Sequence, residues 1–105
     1  MIVEKVYNGR DNSVDLQLLA DGSPVDLAPV TRMQLTVGET TLDSQANPAW
    51  FDWAPAPPLT GKVVLKLGAA GLTPAESQEA VLYVFDPGNP NGIRWGTFHL
   101  NIYAS

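Results

Sequence analysis

The chain has 105 residues, of which 45% are hydrophobic, and this favours one folded domain spanning residues 1–105 over a disordered chain. It contains no cysteine, which excludes disulfide bonds and cysteine-ligated zinc sites and is typical of a protein that folds in the cytoplasm. Eleven acidic residues against six Lys and Arg give a net charge of −5, and without a basic cluster we expect neither nucleic acid nor membrane as a partner.

Clusters of Pro, Gly, Asn and Asp divide the chain into short apolar segments. Proline fixes φ and lacks a backbone donor, and Gly and Asn accept positive φ, so such clusters end strands. Between the clusters, apolar and polar residues mostly alternate, which is the pattern of strands in a small β-sandwich or barrel. The segments predicted to be strands are residues 2–7, 13–20, 24–27, 32–37, 39–42, 62–67, 79–85 and 93–103.

The alternation also predicts which side chains face the core, because successive side chains of a strand point to opposite faces. Segment 79–85 is apolar throughout, which predicts that both of its faces are covered. In the last segment, Trp95 is at an odd position and Phe98 at an even one, so a regular strand would point them to opposite faces. A one-residue bulge at Gly96 would place both side chains on the inward face. The other side chains predicted to face the core are Val14, Leu16, Leu18, Met33, Leu35, Val37, Val63, Leu65 and Leu67.

One helical turn is predicted between two of these strands. Residues 73–76 read Thr-Pro-Ala-Glu. Threonine can cap a helix, proline fits its first position, and glutamate at the third position completes a capping box.

An aromatic cluster, Trp50-Phe51-Asp52-Trp53, occupies the least regular part of the chain, residues 44–60, together with four prolines. Large rings are favoured in protein interfaces because they bury much area with little loss of entropy. The same rings could instead fill the open end of the fold, or stack on a sugar. All three interpretations remain open at the level of sequence, although no polar cluster accompanies the rings as a sugar site requires.

No catalytic, cofactor or metal site is predicted, and we expect the protein not to be an enzyme. His99 is the only histidine, and its parity in the last strand predicts a surface position rather than a place beside a nucleophile. The aspartates follow no calcium-loop spacing, and the glycine-bearing loops match no phosphate loop. Turn chemistry explains both patterns.

Two segments together resemble a known group of proteins. Residues 14–35 contain VDLQL, then DGSPVDL, then VTRMQL, which is a strand, an Asp-Gly turn, a Pro-Val-Asp-Leu step and another strand. This order resembles small β-sandwich virion proteins of tailed bacteriophages and is similar to the N-terminal domain of baseplate upper proteins. Residues 83–96, from YVFDP to NGIRWG, resemble the closing hairpin of short proteins encoded in the structural operons of such phages.

The resemblance implies an all-β fold, an antiparallel Ig-like β-sandwich of about six to eight short strands. It also implies a structural or accessory component of a virion, associated with the tail, baseplate or capsid and made in the bacterial cytoplasm. Its partners would be other virion proteins or further copies of itself, with an edge strand, the aromatic loop and the hairpin at residues 86–92 as contact surfaces. The alternative is a carbohydrate- or receptor-binding module that uses Trp50, Trp53 and Trp95. The candidate contact residues are Trp50, Phe51, Asp52, Trp53, Asn89, Asn91 and Arg94.

Overall fold

The computed structural model describes residues 3–53 and 61–104, and within them regular structure consists almost entirely of β-strands, which confirms an all-β fold. The helical structure in these ranges is a 3₁₀ turn at Pro48–Trp50. The strands are β1 (Val3–Tyr7), β2 (Val14–Gln17), β3 (Leu19–Ala20), β4 (Ser23–Pro24), β5 (Arg32–Val37), β6 (Thr40–Asp43), β7 (Phe51–Asp52), β8 (Lys62–Leu65), β9 (Ala75–Asp86) and β10 (Asn89–Tyr103).

The strands form two larger sheets and one short hairpin. Five strands lie in the order β1-β10-β9-β5-β6, three lie in the order β2-β8-β7, and β3 pairs with β4. All neighbours are antiparallel except β1 and β10, which run parallel. The expectation of a purely antiparallel fold is therefore wrong for this pair. A tight hairpin imposes antiparallel pairing, but β1 and β10 come from opposite ends of the chain and no hairpin joins them.

Both sheets contribute side chains to one hydrophobic core. Leu35 of β5, Leu65 of β8 and Leu100 of β10 are completely buried and belong to this core, so strands of the five-stranded and the three-stranded sheet share it. The predicted inward residues are buried except Leu16 and Trp95, which are half-buried and pack against the core. The alternation in the sequence therefore identified the correct face of each of these strands.

The long hairpin of β9 and β10 contains the predicted bulge. Arg94 is opposite Tyr83 and Gly96 is opposite Leu82, so Trp95 is the extra residue on β10. Beyond the bulge Phe98 is buried, as are Leu100 and Ile102, so the side chains of this part of β10 face the core as expected.

The prediction that both faces of residues 79–85 are covered holds only in part. On the outward face Val81 is buried, whereas Tyr83 and Phe85 are half-buried.

The predicted helical turn at residues 73–76 is wrong. Residues 71–74 have no regular structure, and β9 begins at Ala75, which pairs with Ile102 of β10. The backbone N–H of Ser77, at a φ of +49°, donates a hydrogen bond of 2.8 Å to the side chain of Asn101. Pairing with a strand that is distant in sequence satisfies the hydrogen bonds of these backbone groups, so a strand forms here instead of the helical turn that the capping residues predict.

A polar network on the outward face joins β5 to β6. Arg32 Nε and Gln34 Nε2 each donate a hydrogen bond of 2.9 Å to Asp43 Oδ2, and the Gln45 backbone N–H donates one of 2.8 Å to Oδ1. The guanidinium of Arg32 also lies 4.9 Å from the centroid of the Phe85 ring. The hydrogen bonds from Arg32 are the main cause that lowers the pKa of Asp43 from 3.8 to about 2.

This lowered pKa predicts a specific acid sensitivity. The carboxylate of Asp43 stabilises the fold at pH values above its ordinary pKa, and this contribution is lost as the pH falls through about 2. Between about pH 4 and pH 2, the free energy of unfolding should therefore decline more in the parent protein than in Asp43→Asn. Urea denaturation at several pH values measures the free energy of unfolding of the parent and of Asp43→Asn. Asp11→Asn, at an exposed position, is the control. Equal declines in Asp43→Asn and the parent would contradict the assignment.

The core predicts a graded response to truncation. Leu65→Ala removes a completely buried side chain and should lower the free energy of unfolding by about 2–5 kcal/mol. Leu16→Ala should cost less, because Leu16 is half-buried and its site stays open to solvent. Chemical denaturation of the two variants measures the difference. A larger loss in Leu16→Ala would show that the centre of the core lies elsewhere.

Candidate functional site

The aromatic segment is held in place by its backbone. The Asn47 N–H donates a hydrogen bond of 2.9 Å to the Asp43 carbonyl, and the Trp50 N–H donates one of 3.2 Å to the Asn47 carbonyl. The Lys66 N–H then donates one of 3.0 Å to the Trp50 carbonyl. Pro48 occupies the first position of the 3₁₀ turn, where its missing donor costs nothing. These bonds fix Trp50 beside the end of β8.

The four residues of the aromatic segment divide between core and solvent. Phe51 lies opposite Leu65 and is only 5% exposed, whereas Asp52 points outward and is exposed. Trp50 and Trp53 are half-buried and pack against the core. The geometry thus favours the core-filling interpretation for Phe51 and leaves part of each tryptophan ring available to a partner. Three of the four prolines predicted to frame this segment fall in residues 54–60, outside the described residues.

A cleft of about 280 Å³ lies beside Trp50. Arg10, Asp11 and Lys66 line it together with Trp50, so polar groups do accompany this ring. Gly68 forms part of the wall, and a Cβ there would collide with the Arg10 carbonyl, so this close approach of two loops requires glycine. Sequence reasoning missed these polar neighbours because the loop of residues 9–11 is far from Trp50 in the chain.

The second predicted contact surface is the tip of the β9–β10 hairpin. Asn89 Nδ2 donates a hydrogen bond of 3.0 Å to Asp86 Oδ1, and this bond stabilises the turn. Asn91 is exposed, and so is Arg94, which donates a bond of 3.3 Å to Thr97 Oγ1. These side chains lie outside the core and are accessible to a partner.

The two predicted surfaces lie towards opposite ends of the five-stranded sheet. The hairpin tip lies at the start of β10, where Asn89 pairs with Asp86. Tyr7 pairs with Tyr103 at the last residue of β10, and their rings stack with centroids 5.1 Å apart. Arg10 and Asp11, which line the Trp50 cleft, lie three and four residues after Tyr7. The structure therefore does not bring the aromatic segment and the hairpin tip together into one site.

His99 lies on the outward face of β10, between Val3 of β1 and Glu79 of β9. It is half-buried rather than fully exposed, and its Nδ1 is buried with no hydrogen-bond partner among the described residues. Within residues 3–53 and 61–104, no group of three or more His, Cys, Asp or Glu is arranged to hold a metal ion. The described part of the chain also contains no helix with the length and apolar character needed to cross a membrane.

No protein-family model matches this chain, and no curated protein sequence matches it either.

The division of the aromatic segment between core and solvent predicts a ranking of stabilities. Phe51→Ala should lower the free energy of unfolding most, by about 3–5 kcal/mol, because its ring is buried in the core. Trp50→Ala and Trp53→Ala should each cost less, because part of each ring is already in water. Urea denaturation of the three variants measures the order. A tryptophan variant less stable than Phe51→Ala would place that ring in the core.

Proposed function

We propose that this chain is an Ig-like β-sandwich that serves as a structural or accessory component of a tailed-phage virion and acts through protein–protein contacts. The observation that carries the proposal is the combination of a rigid all-β framework with contact groups that project from it, the half-buried rings of Trp50 and Trp53 and the exposed hairpin tip. The partners are other virion proteins or further copies of the chain.

The order of the strands supports the Ig-like assignment. In variable-type Ig domains one sheet contains strands G, F, C and C′, and the other contains B, E and D. The order β10-β9-β5-β6 corresponds to the first set, and β2-β8-β7 corresponds to the second. The chain lacks the cysteine pair of antibody domains, and its core is held together by aliphatic side chains instead.

The segments that resemble phage virion proteins coincide with defined elements. Residues 14–35 run from β2 into β5, and their Asp-Gly turn joins β3 to β4. Asp21 and Gly22 both have positive φ, at 52° and 81°, as the central residues of a type I′ hairpin turn must have. Residues 83–96 form the tip of the β9–β10 hairpin. The resemblance thus covers elements of structure rather than scattered residues, which supports the virion assignment.

A carbohydrate-binding function is the second candidate, and the Trp50 cleft favours it. A tryptophan ring offers a stacking surface, and Arg10, Asp11 and Lys66 line the same cleft with groups that can hydrogen-bond a sugar. A glycan array tests this candidate separately. Binding that is lost in Trp50→Ala would favour it over the virion proposal.

Incorporation into particles tests the proposed function. Particles assembled in the presence of the protein should contain it after gradient purification, as measured by quantitative mass spectrometry. Trp50→Ala or Trp53→Ala, and separately the double variant Asn91→Ala with Arg94→Ala, should weaken incorporation by about 2 kcal/mol, the scale of an interface hot spot.

The matched control is Thr41→Ala, which changes an exposed residue of β6 away from both surfaces. Thermal melts establish a temperature at which every variant is folded. If all the variants enter particles as the parent does at that temperature, neither surface is the contact. If the parent protein itself is absent from purified particles, the virion assignment is wrong.

A further inference from the structure

A third surface, distinct from the two candidates above, is a cleft between the edges of the two sheets. It has a volume of about 180 Å³. Leu16 of β2 lines one side, and Trp95 and Phe98 of β10 line the other, with Glu4 of β1 beside them. Both β1 and β2 are outermost strands of their sheets, so the cleft opens at the side of the molecule. A space of this size suits one side chain, because sites for whole small molecules are typically about 300–1,000 Å³.

The bulge in β10 shapes this cleft. Trp95 is the residue that the bulge inserts, and bulges commonly re-aim a side chain beside a functional site. The next residue, Gly96, lies opposite Leu82, whose side chain is buried in the core. A Cβ at position 96 would meet nothing within 4 Å, and the φ of Gly96 is not positive. Glycine is therefore required here neither by packing nor by the backbone, and its effect is to leave space beside the Trp95 ring.

Two carboxylates line the cleft, that of Asp15, which is exposed, and that of Glu4. Glu4 is the less exposed of the two. It shares the inward face of β1 with buried Val6, and it is itself half-buried. Its side chain makes no hydrogen bond or ion pair with the described residues, and no Lys, Arg or His is among those that line the cleft. A carboxylate that is partly removed from water beside apolar walls is stabilised by a cation with its own hydrogen-bond donors.

We propose that this cleft binds an arginine side chain carried by an extended segment of a partner protein. The guanidinium stacks on the Trp95 indole and donates hydrogen bonds to the Glu4 carboxylate, while the aliphatic stem packs against Leu16 and Phe98. Arginine fits better than lysine, because its planar group both stacks on an aromatic ring and pairs in bidentate fashion with a carboxylate. The partner segment is extended because β1 has no strand on its outer edge among the described residues, and a free edge accepts a further strand.

This inference goes beyond the virion proposal, because binding to the cleft requires no particle. The test uses ¹⁵N-labelled protein and the capped tripeptide acetyl-Val-Arg-Val-amide. Nuclear magnetic resonance should show shifts of the Trp95 indole N–H and of the Glu4 and Gly96 amides, with a dissociation constant in the millimolar range. The same peptide with citrulline, a neutral isostere of arginine, should bind about tenfold more weakly, because the charge-assisted hydrogen bonds are lost.

Three variants locate the binding. Glu4→Gln should weaken the arginine peptide about tenfold, whereas Glu79→Gln, which makes the same charge change on the outward face, should leave its affinity unchanged. Gly96→Val adds a side chain to the wall of the cleft, where a Cβ meets no atom of a non-neighbouring residue within 4 Å, and it should abolish binding while the protein remains folded. Equal affinity for the citrulline peptide, undiminished binding in Gly96→Val, or shifts confined to Trp50 and Trp53 would each overturn the proposal. A failure of peptide binding would not change the expected result of the incorporation experiment, and a failure of incorporation would not change the expected peptide binding.

Discussion

The pairing of β9 with β10 is the constraint on which the rest of the structure depends. These are the longest strands, and they occupy the centre of the five-stranded sheet, with β5 on one side and β1 on the other. Their inward residues Leu82 and Leu100 belong to the buried cluster, to which Val63 and Leu65 of β8 also belong. The bulge at Trp95 allows a strand of this length to keep one face on that core while it twists. The hairpin tip and the Trp95 cleft are both formed in part by this hairpin.

Much of this fold follows from local pattern, and the exceptions share a physical cause. Strand β5 has the predicted bounds, and the change of parity in β10 predicted its bulge, because both follow from a period of two along a single segment. The parallel pairing of β1 with β10 could not be predicted, since it joins distant parts of the chain. The capping pattern before Ala75 failed for the same reason, because a distant strand outcompeted a local turn. The local sequence does not predict pairing between segments that are far apart in the chain.

The candidate surfaces show the same division between what local sequence encodes and what it does not. The cluster at residues 50–53 was recognisable from composition, but the burial of Phe51 depends on β8, and the polar groups beside Trp50 come from the loop after β1. The exposed hairpin tip was predictable, because Asn, Gly and Pro clustered within a few residues mark a turn. The cleft at Trp95 involves strands from both sheets and the bulge in β10, so sequence analysis did not predict it. The signal that it overlooked is Glu4, a charged residue with the parity of buried Val6.

The charges of the edge strand β1 also limit how two copies of this chain can pair through that edge. When two identical strands pair antiparallel about a two-fold axis, the residue at the axis faces its own copy. An axis at Glu4 opposes two carboxylates, and an axis at Lys5 opposes two ammonium groups. Like charges directly opposite each other in a sheet are destabilising, and charged edge residues are a common protection against edge-to-edge aggregation. The charges of Glu4 and Lys5 therefore disfavour pairing of two copies of the chain in these two registers.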